Sequence, residues 1–143
     1  MTTAPIPGVA AGDRIVIQRV VRTEHTATNY GGGQLGDLLA TPGLVGFMIE
    51  AAVELIDSRL PEGFRSVGIM VQVIHTKPTI LGATVSVEME VREFDGEKVL
   101  LVMRAFDEVG EIGNGLHRRA IVNRQALHEK AHLRAASLQS KDF

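Results

Sequence analysis

The sequence predicts an α+β fold in which one long helix lies across a curved antiparallel β-sheet. The segment 40–59 carries the one strong helical pattern in the first two thirds of the chain, and four strand patterns with short connections follow it. A single helix among antiparallel strands usually packs across one face of their sheet. The chain has 143 residues, of which 45% are hydrophobic, so we expect one domain over residues 1–143.

The prediction of the long helix rests on its capping and its periodicity. Thr41 is predicted as the N-cap, where its hydroxyl would accept a free backbone N–H, and Pro42 as the first helical residue. One face of the helix is apolar and the opposite stripe is polar. The apolar face consists of Leu44, Met48, Ala51, Ala52 and Leu55, and the polar stripe of Gly46, Glu50, Glu54 and Asp57.

The chain before the helix predicts one strand between two irregular segments. Residues 1–12 are rich in Pro, Ala and Gly and predict a flexible lead-in. The β-branched segment 14–22 predicts the first strand. Residues 23–39 predict a long loop with three consecutive glycines at 31–33. Such a loop is often a lid or a binding loop, and a disordered connection is the alternative.

Four strands are predicted after a turn at residues 61–63. Ser66 to Lys77 is expected to place its alternate residues on one face, and Ala83 to Glu93 alternates between apolar and polar residues, as half-buried antiparallel strands do. Lys98 to Asp107 and Ile112 to Asn123 complete the sheet. The face predicted for the first of these strands consists of Val67, Ile69, Val71, Val73 and His75.

Glycines mark the connections between these strands. Asp95-Gly96 predicts a hairpin, and Gly110 predicts another turn. Gly113 and Gly115 lie inside the last strand, where glycine indicates a bulge or a close approach by a ligand or another backbone. The C-terminal segment 125–143 predicts a helical tail that packs weakly, because its apolar seam is narrow.

Composition and charge exclude several classes of function. The formal net charge of −2 gives no electrostatic reason for a nucleic-acid or anionic-membrane partner, and the absence of Cys excludes disulfides and Cys nucleophiles. No segment approaches the roughly 20 apolar residues of a membrane span, and the N-terminus lacks a secretory pattern, so a cytoplasmic location is expected. We recognise no residue pair with metal-ligand spacing on a helix, so no metal site is expected.

The predicted order of elements is strand, loop, helix, four strands and a short helix. A curled antiparallel sheet on one central helix is the hotdog architecture. Such a sheet has edges that must be covered or paired. If two copies pair edge to edge, the backbone groups of the paired edges gain hydrogen-bond partners, so we expect a homodimer.

Five residues combine a reactive or charged group with an informative position. Thr41 lies at a helix N-terminus, whose free N–H groups suit an oxyanion or a phosphate, although capping alone explains it. His75 follows apolar residues on a strand, and Glu50 lies on the polar stripe of the helix. The simpler interpretation of His75 is a strand-end histidine in contact with solvent or a backbone carbonyl, and that of Glu50 is a place on a solvated helix face. His117 and Arg119 share one face of the last strand, where Arg119 is either an anion clamp or an exposed charge.

Three sequence blocks together resemble a known family. They are ATPGLVGFM at 40–48, then SVG at 66–68 with VIHT at 73–76, and finally DEVGEIGNG at 107–115 followed by HRR at 117–119. In this order and spacing, the chain resembles the hotdog-fold thioesterases of the fluoroacetyl-CoA thioesterase-like family over residues 13–125.

The resemblance implies a hydrolytic constellation of a Thr at the helix start, a Glu further along the helix and a His on the following strand. Thr41 and His75 match two of these positions. Ile49 stands where the family has its carboxylate, and Glu50 follows about 100° further around the helix. Either Glu50 takes the catalytic role or the chain lacks the carboxylate. The matched blocks also make Arg119, Gly43, Gly68 and His117 candidates for substrate binding.

The resemblance implies an acyl-CoA thioesterase that acts as a homodimer, with CoA as part of the substrate and no other cofactor. Its site would lie at the subunit interface, under a lid formed by the loop at residues 31–33. Because glycines there replace bulkier residues, fluoroacetyl specificity is not expected. A non-catalytic module that binds an acyl-CoA or another small apolar ligand is the alternative, favoured by Ile49. A dehydratase is less favoured, because its acid–histidine motif is missing.

Overall fold

The computed structural model describes residues 8–139, which form one antiparallel sheet with a long helix packed against it. The strands are β1 (Arg14–Val20), β2 (Phe64–His75), β3 (Thr84–Phe94), β4 (Lys98–Phe106) and β5 (Glu111–Asn123), and the helices are α1 (Thr41–Asp57) and α2 (Arg124–Gln139). The strand order is β1-β3-β4-β5-β2, so β1 and β2 are the two edges. The predicted elements are all present, with bounds shifted by one or two residues.

The core lies between α1 and the sheet, as the periodicity predicts. All five residues predicted for the apolar face of α1 are buried, and they pack with alternate residues of β3 and β4. Each fully buried Leu, Met or Val side chain of this core stabilises the fold by about 1.5–3 kcal/mol. The β3 residues in this core are Val85, Val87, Met89 and Val91, which confirms the alternation.

The start of α1 differs from the prediction by one residue. Ala40 is the N-cap, with an extended backbone (φ −75°, ψ 150°), and Thr41 is already helical. The Ala40 carbonyl accepts the first helical hydrogen bond from Leu44 N (3.0 Å). Thr41 makes no capping hydrogen bond, because its hydroxyl pairs with a side chain on β2. The prediction of Thr41 as N-cap is therefore wrong.

A bulge divides β2, which changes the predicted faces. The pairing of β2 with β5 shifts between Gly68 and Met70. Val71, Val73 and His75 stay on the face predicted for them, but the extra residue places Val67 and Ile69 out of phase with this set. Simple alternation could not predict the shift, because the bulge depends on the pairing with β5.

The segment 23–39 is more structured than the predicted loop. It contains two 3₁₀-helices, Thr23–His25 and Ala27–Tyr30. Isolated bridges then tie Thr26 to Leu39 and Leu38 to Ile80. These backbone bonds exclude a disordered connection and hold both ends of the glycine-rich stretch against the domain.

The prediction of a flexible lead-in is wrong for its described part, residues 8–12. Val9 is buried in the core, and Gly12 N donates to the Val91 carbonyl (2.8 Å). Arg59 holds the same segment through a hydrogen bond from Nη1 to the Gly8 carbonyl (3.1 Å) and pairs with the adjacent Asp13 (2.5 Å). Residues 1–7, and residues 140–143 of the predicted tail, lie outside the described part of the chain.

The glycines of β5 and the C-terminal helix agree with their predictions. A Cβ at Gly115 would overlap the carbonyl oxygen of Gln72, so the neighbouring backbone requires glycine there. Residues 124–138 of α2 are all exposed, consistent with weak packing.

Within residues 8–139, neither helix is long and apolar enough to cross a membrane. The cytoplasmic location stays a prediction.

Candidate active site

Thr41 and His75 form the centre of the candidate site. Thr41 begins α1 and His75 ends β2, and a hydrogen bond of 2.8 Å joins Thr41 Oγ1 to His75 Nδ1. The two residues are 34 positions apart in the sequence, so the contact depends on α1 crossing the end of β2. The structure thus brings together two of the three residues predicted to be catalytic.

The free nitrogen of this histidine is suited to proton transfer. His75 Nε2 is buried and has no hydrogen-bond partner among the described residues. Burial lowers the pKa of His75, because it disfavours the charged imidazolium. The imidazole is therefore neutral at neutral pH and can accept a proton, as a general base must.

A mostly apolar cavity of about 430 Å³ opens beside this pair. The cavity is lined by Thr41, His75 and the three residues that follow His75, and by residues of the segment 27–39, which we call the loop wall. Ligand pockets combine apolar walls with few polar groups in this way. The apolar lining residues are Ala27, Tyr30, Leu35, Leu38, Leu39, Ala40, Pro42 and Pro78.

Glu50 does not join Thr41 and His75 in the chain. It lies nine residues along α1 from Thr41, about 13 Å of helix, and its carboxylate accepts a hydrogen bond from Arg19 Nε (2.6 Å). Arg19 belongs to β1, the sheet edge opposite β2, and also pairs with Glu54 (2.8 Å). The Glu50 side chain is 52% exposed, so this geometry favours the solvated interpretation.

A second group of candidates surrounds the buried Arg119, which is 5% exposed. Its guanidinium donates from Nε to Ser66 Oγ (2.7 Å) and from Nη2 to the Ser66 carbonyl (2.8 Å). Ser66 Oγ in turn donates to Asp57, the last residue of α1 (2.5 Å). Burial lowers the pKa of Arg119, and the Asp57 carboxylate opposes this shift. Arg119 is therefore not the exposed cross-strand charge that the sequence allowed.

His117 is fixed beside this arginine in one tautomer. Its Nδ1 lies 3.0 Å from the Met70 carbonyl, which can only accept, so Nδ1 carries the proton. Nε2 is then the acceptor for Arg119 Nη1 (3.1 Å). Burial lowers the pKa of His117. The hydrogen bond to the Met70 carbonyl opposes this lowering, and the positive charge of Arg119 adds to it. His117 is therefore a neutral neighbour of the buried guanidinium.

Ile49 and Gly68 complete this second group. Both line a surface depression with Ser66, His117 and Arg119. A Cβ at Gly68 would lie 3.3 Å from His117 Cε1, so glycine leaves the depression open. The position where the resemblance places the carboxylate therefore lines the same depression as Arg119, but this chain has isoleucine there.

Gly43 lies apart from both groups. It is buried in the first turn of α1, and a Cβ there would lie 2.6 Å from the His25 carbonyl oxygen. Its missing side chain thus permits close packing of the helix start, and its role in substrate binding stays a prediction.

Several residues of these sites were not recognised from the sequence. The sequence indicates Asp57 only as part of a polar helix stripe and Ser66 only as part of a sequence block. It gives no signal that Tyr30 or Leu35 lines a cavity. The available signal for Ser66 was its polar side chain at the start of a predicted strand with an apolar face.

One expectation about metals needs correction. His128 and His132 are four residues apart on α2, a spacing that places two imidazoles on one helix face. The sequence prediction overlooked this pair. In residues 8–139, no group of three or more His, Cys, Asp or Glu side chains could hold a metal ion, so α2 offers two ligands only.

Comparison with known proteins identifies the family. Residues 21–125 match the family model described as FlK, fluoroacetyl-CoA-specific thioesterase. The chain belongs to this family. It is 35% identical over 94 residues to the fluoroacetyl-CoA thioesterase of Streptantibioticus cattleyicolor, which covers 66% of this chain and 68% of that relative. Membership confirms the prediction of a thioester hydrolase.

Solved structures in and near the FlK family confirm the hotdog fold. A hot-dog-like protein from Thermanaerovibrio acidaminovorans superposes with a TM-score of 0.81 at 31% identity, covering 87% of this chain and 91% of that one. A phenylalanine-to-alanine mutant of FlK in complex with fluoroacetate and CoA gives a TM-score of 0.78 at 30% identity, covering 83% and 99%. The predicted α+β hotdog architecture is therefore correct.

Proposed function

We propose that the protein is an acyl-CoA thioesterase that hydrolyses small or medium acyl thioesters at the interface of a homodimer. The observation that carries this proposal is the hydrogen bond between Thr41 and His75 beside an apolar cavity, in a chain of the FlK family. The FlK structure with fluoroacetate and CoA supports CoA esters as the substrate class. No metal or cofactor takes part in the proposed reaction.

The neutral imidazole of His75 acts as the general base. It takes a proton from the attacking water as the water oxygen bonds to the thioester carbonyl carbon. The C–S bond then breaks, and the imidazolium returns the proton to the CoA thiolate, so a carboxylic acid and free CoA leave. Thr41 orients the ring through Nδ1 (2.8 Å). Free N–H groups in the first turn of α1 stabilise the developing oxyanion.

Ile49 determines which route this reaction takes. A carboxylate at this position could serve as nucleophile or base, but isoleucine cannot, and Glu50 is held by Arg19. We therefore propose direct attack by water instead of an acyl-carboxylate intermediate. Glu50 serves in this proposal as part of the solvated face of α1.

We infer the dimer from the positions of two site residues along β2, one from each group. Gly68 and His75 are seven residues apart, roughly 23 Å of strand, so one chain cannot place both on a single thioester carbonyl. Ile69 and Ile74 are 48% and 60% exposed on this edge strand. Antiparallel pairing of two β2 strands, with the two-fold axis between Val71 and Gln72, would place Gly68 opposite the partner's His75. Each site would then combine both groups.

Thiol release from a panel of short, aromatic and long acyl-CoAs tests this function. Wild type should release CoA, and His75→Ala should lose about 100-fold or more in kcat, the usual contribution of a general base. Glu50→Gln, a matched change on the polar stripe of α1, should keep its rate. Full activity of His75→Ala would contradict the mechanism. Ligand-dependent stabilisation without release from any ester would instead favour the non-catalytic binding module.

A further inference from the structure

The cavity beside Thr41 and His75 is larger than a two-carbon acyl group requires. Its volume is about 430 Å³, whereas a single water occupies about 30 Å³ of liquid. An acetyl group would fill a small part of this space and leave water against apolar walls. Burial of apolar surface is the main source of affinity in such a pocket, so the walls favour a longer apolar group.

The loop wall exposes side chains that an apolar ligand would cover. Tyr30 is 54% exposed and Leu35 is 63% exposed, although both line the cavity. Tyr30 is the one tyrosine of the chain. Gly31 and Gly36 flank the tip of this wall, and both have positive φ (84° and 64°), a conformation that glycine adopts without strain.

The same wall is anchored at its base. Leu38 bridges Ile80, and Leu39 bridges Thr26, so the backbone on either side of the cavity is hydrogen-bonded. The charged group in the lining is Lys77, which lies on the His75 side. The end of the cavity formed by residues 27–38 therefore offers apolar contact with little electrostatic attraction for a charged acyl group.

We infer that the enzyme prefers apolar acyl groups longer than acetyl, which this cavity would hold beside the catalytic pair. Leu35 and Tyr30 determine this specificity by covering the chain beyond the thioester carbonyl. The inference rests on the proposed function, since it names the acyl class of the same site. Each buried methylene corresponds to about a fourfold gain in binding.

The test measures kcat/KM for acetyl-, butanoyl-, hexanoyl- and octanoyl-CoA. We expect wild type to gain at least about tenfold from acetyl- to hexanoyl-CoA. Leu35→Ala should lower kcat/KM for hexanoyl-CoA about fivefold to tenfold and change that for acetyl-CoA by less than about twofold. Leu133→Ala is the matched control, because Leu133 is a similarly exposed leucine (72%) on α2. The Leu133→Ala substitution should leave kcat/KM unchanged for all four esters.

Thermal stabilisation of the protein by the same esters measures acyl binding and does not require turnover. A flat or acetyl-preferring profile would overturn the inference while leaving the thioesterase intact. An equal loss on all esters in Leu35→Ala would also overturn it, because the cavity would then hold the pantetheine arm. If no ester releases thiol, the proposed function fails. Stabilisation that rises with chain length and is reduced in Leu35→Ala would still support the acyl cavity, and its absence would exclude it.

Discussion

At the scale of single residues, the chemistry of the site depends on the protonation of His75. Its ring is held by Thr41 at Nδ1, while Nε2 is buried without a partner in the described chain. An isolated buried nitrogen is costly unless it has a function or a ligand. A water or thioester at Nε2 would satisfy it, which is consistent with the base role proposed above.

The lowered pKa of His75 predicts the pH dependence of the enzyme. The base must be neutral, so kcat/KM should fall as the pH falls through the pKa of the free enzyme. Burial lowers this pKa from its ordinary value near 6.5, so the midpoint of the loss of activity should lie below that pH. A pH profile of kcat/KM measures it, with hexanoyl-CoA as substrate. An acidic limb centred above the ordinary histidine value would contradict the prediction.

Thr41 shows how much of the site could be predicted from the sequence. The Thr-Pro pair predicted the helix start to within one residue, because capping is local. The partner of its hydroxyl could not be predicted from spacing, since His75 approaches through the tertiary packing of β2. Likewise, the shared face of His117 and Arg119 was predictable, but the burial of Arg119 depends on Ser66 and Asp57.

At the scale of elements, the two glycines of α1 differ in how closely the surrounding chain packs against them. Gly43 lies against the His25 carbonyl, whereas a Cβ at Gly46 would meet no atom within 4 Å. Both lie inside the helix, where alanine is intrinsically more favourable than glycine by roughly 0.5–1 kcal/mol. The packing around each glycine therefore decides whether its replacement by alanine raises or lowers the free energy of unfolding.

Gly43→Ala and Gly46→Ala should therefore change stability in opposite directions. Gly43→Ala should lower the free energy of unfolding by about 1–3 kcal/mol, because the added methyl forces the helix start away from His25. Gly46→Ala should leave it unchanged or raise it by up to about 1 kcal/mol. Urea unfolding of both variants beside wild type measures this. Equal destabilisation would show that Gly46 also faces a close neighbour, such as a partner subunit.

The strands show where prediction from the alternation of apolar and polar residues succeeds and where it fails. The alternation of β3 predicted its buried face residue by residue, because β3 pairs regularly along most of its length. In β2 the same reasoning failed at Ile69, since the bulge depends on its partner strand. The segment 23–39 was harder still, because its 3₁₀-helices have no periodic signal and are fixed by bridges to distant residues.

At the scale of the whole molecule, the order of elements predicted the hotdog fold and left an edge strand open. β2 has 12 residues and pairs on one side with β5. An exposed edge with apolar side chains invites pairing with another chain. The same strand carries residues of both groups, His75 of one and Ser66 and Gly68 of the other, so pairing of two copies would complete the sheet and the site together.

Mixing two inactive variants tests this composite site. His75→Ala removes the base from one group, and Arg119→Met removes the buried cation from the other. In a mixed dimer, one site would receive both substitutions and the other none. After subunit exchange, random pairing should restore about one quarter of wild-type activity, because half of the dimers are mixed and each has one intact site.

The controls separate a composite site from a general loss of folding. Each variant alone should have little activity, because His75→Ala lacks the base and Arg119→Met lacks the cation that we place at the composite site. The thermal unfolding of each variant should show a cooperative transition before mixing. The substitution Ile74→Lys on the exposed edge of β2 should abolish both dimer formation and restored activity, since it places charges on the strand edge where the two copies would pair. If the mixture of stable dimeric variants regains nothing, the two groups do not share a site across the interface, and each chain must catalyse alone.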